Sequence, residues 1–212
     1  MNEVMSLGIP RIWKTAPITQ LKPKENMNII DVAGGTGDIS GRILKKTDNK
    51  ASVTICDINI NMMEVYRDKL IDRGIINKVQ SAQLVCSNAE ELPFPNASFD
   101  AYVIAFGLRN VTHIEKALLE AHRVIKPGGR FICLEFSKVE NEFLDKIYKQ
   151  YSKIIPKIGR VIVGKSYPYE YLTASIKNFY KQDELLEKIN KSKFKKVEYS
   201  NLFGGIASIT SV

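Results

Sequence analysis

The stretch Ile29-Ile30-Asp31-Val32-Ala33-Gly34-Gly35-Thr36-Gly37-Asp38 limits what this chain can become more than any other. A β-branched apolar run enters a turn crowded with glycine. About one helix later a second apolar run, Val53-Thr54-Ile55-Cys56, ends on Asp57. Gly34, Gly35 and Gly37 let a ligand approach the backbone, and a helix opening near Gly37 offers free amides. A carboxylate at the end of the second strand can accept hydrogen bonds from both hydroxyls of a ribose. The pattern points to a nucleoside-bearing ligand bound where parallel strands end.

The alternation continues. Apolar and β-branched runs predict strands at 28–33, 52–57, 83–87, 99–105 and 130–136. Helices are expected at 37–46, 60–72 and 113–125, the last with Thr112 as N-cap and Pro127-Gly128-Gly129 as its stop. Such strand–helix–strand units imply a doubly wound α/β fold with helices on both faces of a parallel sheet. Beyond the fifth strand the rhythm loosens, with helices expected at 141–155, 168–179 and 182–190. Two strands, 194–200 and 206–211, then flank a turn at Phe203-Gly204-Gly205. The expected sheet is therefore seven-stranded and mostly parallel, with a late hairpin. One domain spans 1–212. Residues 1–26 form an N-terminal cover, in which the stretch from Thr15 to Asn26, with Pro17 and Pro23, reads as a connection. Residues 138–180 form a helical insertion over the substrate.

Composition removes several classes. No apolar run approaches the roughly 20 residues that span a bilayer, and the first 14 residues lack the basic-then-apolar order of a secretion signal. Cys56, Cys86 and Cys133 form no CxxC pair and are expected as buried free thiols. With only His113 and His122 to join them, no metal site is expected. The net charge of +8 leaves open an anionic membrane surface. Its late lysines (Lys188, Lys191, Lys193, Lys195, Lys196) read best as a solvated helix end, and no nucleic-acid motif accompanies them.

The candidate ligand site gathers residues from four strand ends. The turn contributes Asp31, Gly34, Gly35, Thr36 and Gly37. Asp57 is the ribose acceptor, unless it or Asn59 caps the following helix. Ile58 and Met62 offer apolar contact to a base. Asn88 can bond a base edge, and Ala89 is small enough to let the base lie close. The fourth strand ends at Ala105, followed by Phe106-Gly107-Leu108-Arg109-Asn110, which places Arg109 and Asn110 at the same crevice. A dinucleotide fingerprint would need G-x-G-x-x-G, whereas this turn reaches Ser40 at the last position. That disfavours a nicotinamide cofactor.

Asp31-Val32-Ala33-Gly34-Gly35-Thr36-Gly37 matches the acid-x-Gly/Ala-x-Gly-x-Gly pattern of S-adenosylmethionine enzymes, with Ala33 where glycine is usual. Together with Met1–Gly8, Asp57-Ile58-Asn59, Asn88–Pro95, Ile104–Thr112, Arg123–Arg130, Glu135-Phe136-Ser137-Lys138 and Tyr171–Ile176, it makes the chain resemble the ubiquinone/menaquinone-biosynthesis C-methyltransferase family (UbiE-type). The wording of 32–38 and 133–139 is most similar to the eukaryotic, mitochondrial branch. Pro10 and Tyr180 depart from the family's usual His and Pro.

The resemblance implies a class I, Rossmann-like methyltransferase using S-adenosyl-L-methionine as cofactor. Its expected substrate is a polyprenyl quinol of the 2-methoxy-6-polyprenyl-1,4-benzoquinol type, with Arg109 and Asn110 as catalytic residues. It also implies a peripheral location on the matrix face of the mitochondrial inner membrane. Other quinone-biosynthesis proteins, or a second copy of the chain, are the implied partners. Relatives carry residues on both sides of this span, so a transit peptide and part of the cover are expected beyond it. A demethylmenaquinol methyltransferase and a non-catalytic cofactor-binding scaffold are the alternatives.

Overall fold

The computed structural model describes residues 13–72, 81–138 and 167–212. Its seven-stranded sheet has the order β3-β2-β1-β4-β5-β7-β6. The strands are β1 (Asn28–Val32), β2 (Ser52–Asp57), β3 (Ala82–Cys86), β4 (Phe99–Ala105), β5 (Ile125–Phe136), β6 (Glu198–Leu202) and β7 (Ala207–Ser211). Strands β1 to β5 run parallel, and β7 is antiparallel to both β5 and β6. The helices are α1 (Ala16–Leu21), α2 (Asp38–Lys46), α3 (Ile60–Asp72), α4 (Ile114–Val124), α5 (Tyr167–Asn178) and α6 (Gln182–Lys191).

Strand side chains alternate between faces, and here both faces are covered, so neighbours in sequence enter different cores. Ile30, Val32, Tyr102, Ile104 and Phe131 pack with Ala117, Leu118 and Ala121 of α4 and Leu185 and Ile189 of α6. Ile29, Val53, Ile55, Val103 and Ile132 pack with Ile39 and Ile43 of α2, Tyr66 and Leu70 of α3, and Leu21 of α1. The chain leaves β1 toward β2 on one side and returns to place β4 on the other. The carboxyl ends of β1 and β4 therefore open a crevice at the switch in strand order.

Several local expectations are corrected. Residues 16–21 form a helix rather than a connection, because Pro17 falls at its first turn, where a missing N–H costs nothing. Thr112 does not cap α4. His113 holds the cap position but its side chain does not cap the helix, and the carboxylate of Glu90 instead accepts from the backbone N–H groups of Thr112 (3.1 Å) and His113 (3.0 Å). Helix α4 ends at Val124 as expected, yet Pro127-Gly128-Gly129 does not delay the next strand. It is a bulge inside β5, where register jumps from Phe99 opposite Ile125 to Ala101 opposite Arg130. Strand β6 begins four residues later than expected, at Glu198. Cys56 and Cys133 are buried, and burial raises the Cys56 thiol pKa to about 12, but Cys86 at the sheet's edge is exposed. The helix expected at 141–155 lies outside the described residues.

Candidate functional site

The glycine turn is built around two buried anchors. Gly37 sits at φ +70°, and a Cβ there would fall 2.0 Å from the Tyr66 ring, so both backbone and packing demand glycine. Asp31 is 1% exposed. Its Oδ2 accepts from both the hydroxyl and the backbone N–H of Ser40 in α2, while the buried Oδ1 has no hydrogen-bond partner among the described residues. Burial raises its pKa to about 6, the Ser40 bonds opposing the shift and the negative charges of Asp57 and Asp38 adding to it. Ser40, which spoils a dinucleotide fingerprint, thus has a definite task at this site.

Asp57 stands at the end of β2, half-exposed. Its Oδ2 accepts from the Gly35 N–H at 2.8 Å and its Oδ1 from the Asn59 N–H at 2.8 Å. Asn59, rather than Asp57, caps α3, accepting from the N–H groups of Asn61 (3.1 Å) and Met62 (3.4 Å). A carboxylate offers about four lone-pair positions, so Asp57 keeps capacity for two further donors. Ile58 is 70% exposed beside it, and Met62, 38% exposed, reaches within 3.6 Å of where a Gly35 Cβ would stand. An acid with spare acceptor positions, an open turn and two uncovered apolar side chains fit an adenosine.

The remaining expected contacts vary in availability. Thr36 is half-buried, and its carbonyl accepts from Lys69 Nζ at 3.4 Å. Gly34 packs closely, since a Cβ would meet Ile55 Cγ2 at 2.7 Å. Asn88 is exposed, with its Oδ1 engaged by the Glu90 N–H at 3.0 Å, which leaves its amide donors for a ligand. Ala89 is buried in the core, and Ala105 is half-buried at the end of β4.

Arg109 and Asn110 lie on a short 3₁₀ turn, Leu108–Asn110, directly after β4. Arg109 is not the surface arginine its type would suggest. Its side chain is 9% exposed and pairs with Glu135, 1% exposed, at the end of β5, with Nη1 donating to Oε2 at 3.0 Å. Nη1 also donates to the Phe106 carbonyl, and the Phe136 ring lies 5.2 Å from Cζ. Trp13 closes the aromatic group, its ring centroid 6.2 Å from that of Phe106 and 5.8 Å from that of Phe136. Asn110 is exposed and accepts a 3.1 Å hydrogen bond from the Tyr171 hydroxyl of α5. Sequence reasoning assigned Glu135 no role, although an acid closing the apolar run Phe131-Ile132-Cys133-Leu134 was a visible signal.

Known proteins share this fold. In Brucella abortus (strain S19), the ubiquinone/menaquinone biosynthesis C-methyltransferase UbiE is 50% identical, the match covering 100% of this chain and 78% of the relative. A SAM-dependent methyltransferase from Aquifex aeolicus shares the fold at 17% identity, with a TM-score of 0.66 over 93% of this chain and 87% of its own. Phosphoethanolamine N-methyltransferase 2 of Haemonchus contortus, solved with S-adenosyl-L-methionine, superposes with a TM-score of 0.63 at 18% identity, over 89% of this chain and 38% of its own. The model of the ubiE/COQ5 methyltransferase family matches residues 1–211, and the chain belongs to that family.

Proposed function

We propose that this enzyme, an S-adenosylmethionine-dependent C-methyltransferase of quinone biosynthesis, methylates the ring of a polyprenylated methoxy-benzoquinol on the route to ubiquinone. The observation that carries the reading is the position of Arg109 and Asn110, one strand away from the glycine turn at the switch in strand order. When bound, the cofactor supplies a methyl group already activated on a sulfonium, so the protein's task is alignment and activation of the ring.

Asp57 receives the ribose hydroxyls, and Ile58 and Met62 cover the base. Asn110 orients a ring hydroxyl. Arg109 holds its proton too tightly to act as a base. Its guanidinium instead stabilises the negative charge that builds on the ring oxygen as the hydroxyl proton leaves to water, which raises electron density at the carbon that is methylated. The ring hydrogen at that carbon then leaves as a proton to water, and the resulting quinolate takes a proton back from water to give the methylated quinol.

Residues 1–26 and 138–180 serve as the substrate cover in this reading, and Trp13 beside Phe106 and contact between α5 and the 3₁₀ turn support it. The wording of 32–38 and 133–139 supports ubiquinone over menaquinone, together with a place on the matrix face of the mitochondrial inner membrane beside other quinone-biosynthesis proteins. Calorimetric titration with S-adenosylmethionine, with NADH in parallel and Asp57→Ala as control, tests the cofactor. Turnover of short-tailed benzoquinol and naphthoquinol analogues then tests the substrate. Selective S-adenosylmethionine binding, weakened in the variant, with preference for the benzoquinol is expected. Cofactor binding without turnover of either ring would leave a scaffold.

A further inference from the structure

A guanidinium carries five N–H donors in a fixed plane. In Arg109 the two on Nη1 are committed, one side to the Phe106 carbonyl and the other to Glu135, at 3.3 Å from Oε1 and 3.0 Å from Oε2. Glu135 is held in turn by the backbone, its Oε1 accepting from the Arg109 N–H at 3.2 Å and its Oε2 from the Phe136 N–H at 3.1 Å. The opposite edge of the guanidinium is different. Among the described residues, the buried Nε makes no hydrogen bond and Nη2 has no partner. Leaving a buried donor unpaired costs about 1–3 kcal/mol, so a fold that keeps one needs a reason. The N–H groups of Nε and Nη2 point the same way and form the fork that matches an oxyanion.

Stability does not supply the reason. A buried ion pair gains little over a well-packed apolar pair, because desolvating both charges offsets their attraction. The strained backbone of Phe106, at φ +56°, adds cost at the same spot. We infer that Glu135 is a positioning residue for methyl transfer: it clamps Arg109 by Nη1 and so reserves the Nε–Nη2 edge for the substrate oxygen on which charge develops. The inference rests on the reading of Arg109 given above. Glu135 itself never touches the substrate. Its carboxylate sets where the guanidinium sits and which of its edges is free.

The test uses the full chain with a short-tailed methoxy-benzoquinol, and compares Glu135→Gln, Glu135→Asp, Arg109→Ala and the Glu135→Gln/Arg109→Ala double variant. For each, the Kd of S-adenosylmethionine, kcat, KM and the pH dependence of kcat are measured. Glu135→Gln is expected to keep cofactor affinity within about twofold and to lower kcat about 10- to 100-fold. That is less than the roughly 100- to 1,000-fold cost of losing a charge-stabilising donor itself, which is expected for Arg109→Ala. The acid limb of its pH profile should move upward, toward the ionisation of the free quinol. The double variant should be no slower than Arg109→Ala, because Glu135 acts through Arg109.

An unshifted or downshifted acid limb, or losses that multiply in the double variant, would overturn the inference. If Glu135→Gln fails to fold, Glu135→Asp decides. It keeps the charge but falls short of Nη1, so it should bind cofactor normally and turn over slowly, and wild-type turnover would refute the clamp. Full activity in Arg109→Ala would instead remove the reading beneath it. A loss in Arg109→Ala with none in either Glu135 variant would remove the clamp alone.

Discussion

Ala33 takes the space that a side chain at Gly107 would need: a Cβ built on Gly107 would stand 2.3 Å from the Ala33 Cβ. Ala33 also occupies a left-handed backbone, at φ +53°, where the sequence pattern usually carries glycine. The two positions therefore share one void, and the turn after β1 is fitted to the turn after β4 that bears Arg109. Gly107 itself has an ordinary φ of −115°, so its constraint is packing alone. Gly107→Ala should lower stability by roughly 1–3 kcal/mol through overpacking. Adding Ala33→Gly should recover most of that loss, since it empties the void and relieves a strain of about 1–2 kcal/mol. Urea denaturation of the wild type, both single variants and the double variant reads the coupling. Additive effects would show that the two turns do not share the space.

Asp31 makes the stability of the ligand-free protein depend on pH. Burial raises its folded-state pKa to about 6 from 3.8, so the folded state holds this proton more tightly than the unfolded chain. The contribution is complete below about pH 4, and it is lost as pH rises through about 6. Integrated over that window, it amounts to on the order of 2–3 kcal/mol. Asp31→Asn should remove this part of the pH dependence. The difference in unfolding free energy between variant and wild type should therefore change from pH 4 to pH 7 and level off above. A constant difference across that range would mean that Asp31 ionises normally.

The sheet was legible because its strands are apolar runs with buried faces, and Val53 to Asp57 could hardly be placed otherwise. Strands β1 to β4 and β7, the late hairpin and helices α2, α3 and α6 fall close to where sequence puts them. What misled were features whose partners are distant in sequence. Pro127-Gly128-Gly129 marks the end of a helix locally, yet pairing of β5 with β4 on both sides turns it into a bulge. Ser40 looks like a defect in a dinucleotide motif until Asp31 is seen beneath it. Glu135 was invisible as a partner of Arg109, because 26 residues separate them and only strand pairing brings them together.

The start of α4 shows the same rule and can be tested. Glu90, from the loop after β3, accepts from the N–H groups of Thr112 and His113, and its Oε2 meets His113 Nδ1 at 2.7 Å. Hydrogen bonds from the His113 backbone, and then from its side chain, hold the Glu90 carboxyl below its ordinary pKa of 4.5. That contribution exists above the ordinary value and disappears as pH falls through the lowered one. Glu90→Ala should lower Tm at pH 7 and have less effect at pH 3. Thr112→Ala should leave Tm unchanged at both. An equal loss from the two substitutions would return the cap to Thr112.

The hydroxyl of Tyr171 links α5 to the 3₁₀ turn that follows β4. It donates to Asn110 Oδ1 at 3.1 Å, and the rest of its side chain is largely uncovered, the residue being 53% exposed. Asn110 is the residue proposed for the ring hydroxyl, and the Tyr171 phenol sits at the same acceptor. Two arrangements then follow for the complex: Tyr171 stays and shares the acceptor, or it yields to the quinol hydroxyl. Tyr171→Phe separates them, since it removes one hydroxyl and little packing. If Tyr171 holds α5 against the turn while substrate is bound, the variant should raise KM for the quinol several-fold with S-adenosylmethionine affinity unchanged. If it must be displaced, KM should fall. The first outcome is expected, because a side-chain carbonyl has two lone pairs and can accept both hydroxyls. A KM equal to that of the wild type would remove Tyr171 from substrate binding and leave its bond to Asn110 a packing detail of α5.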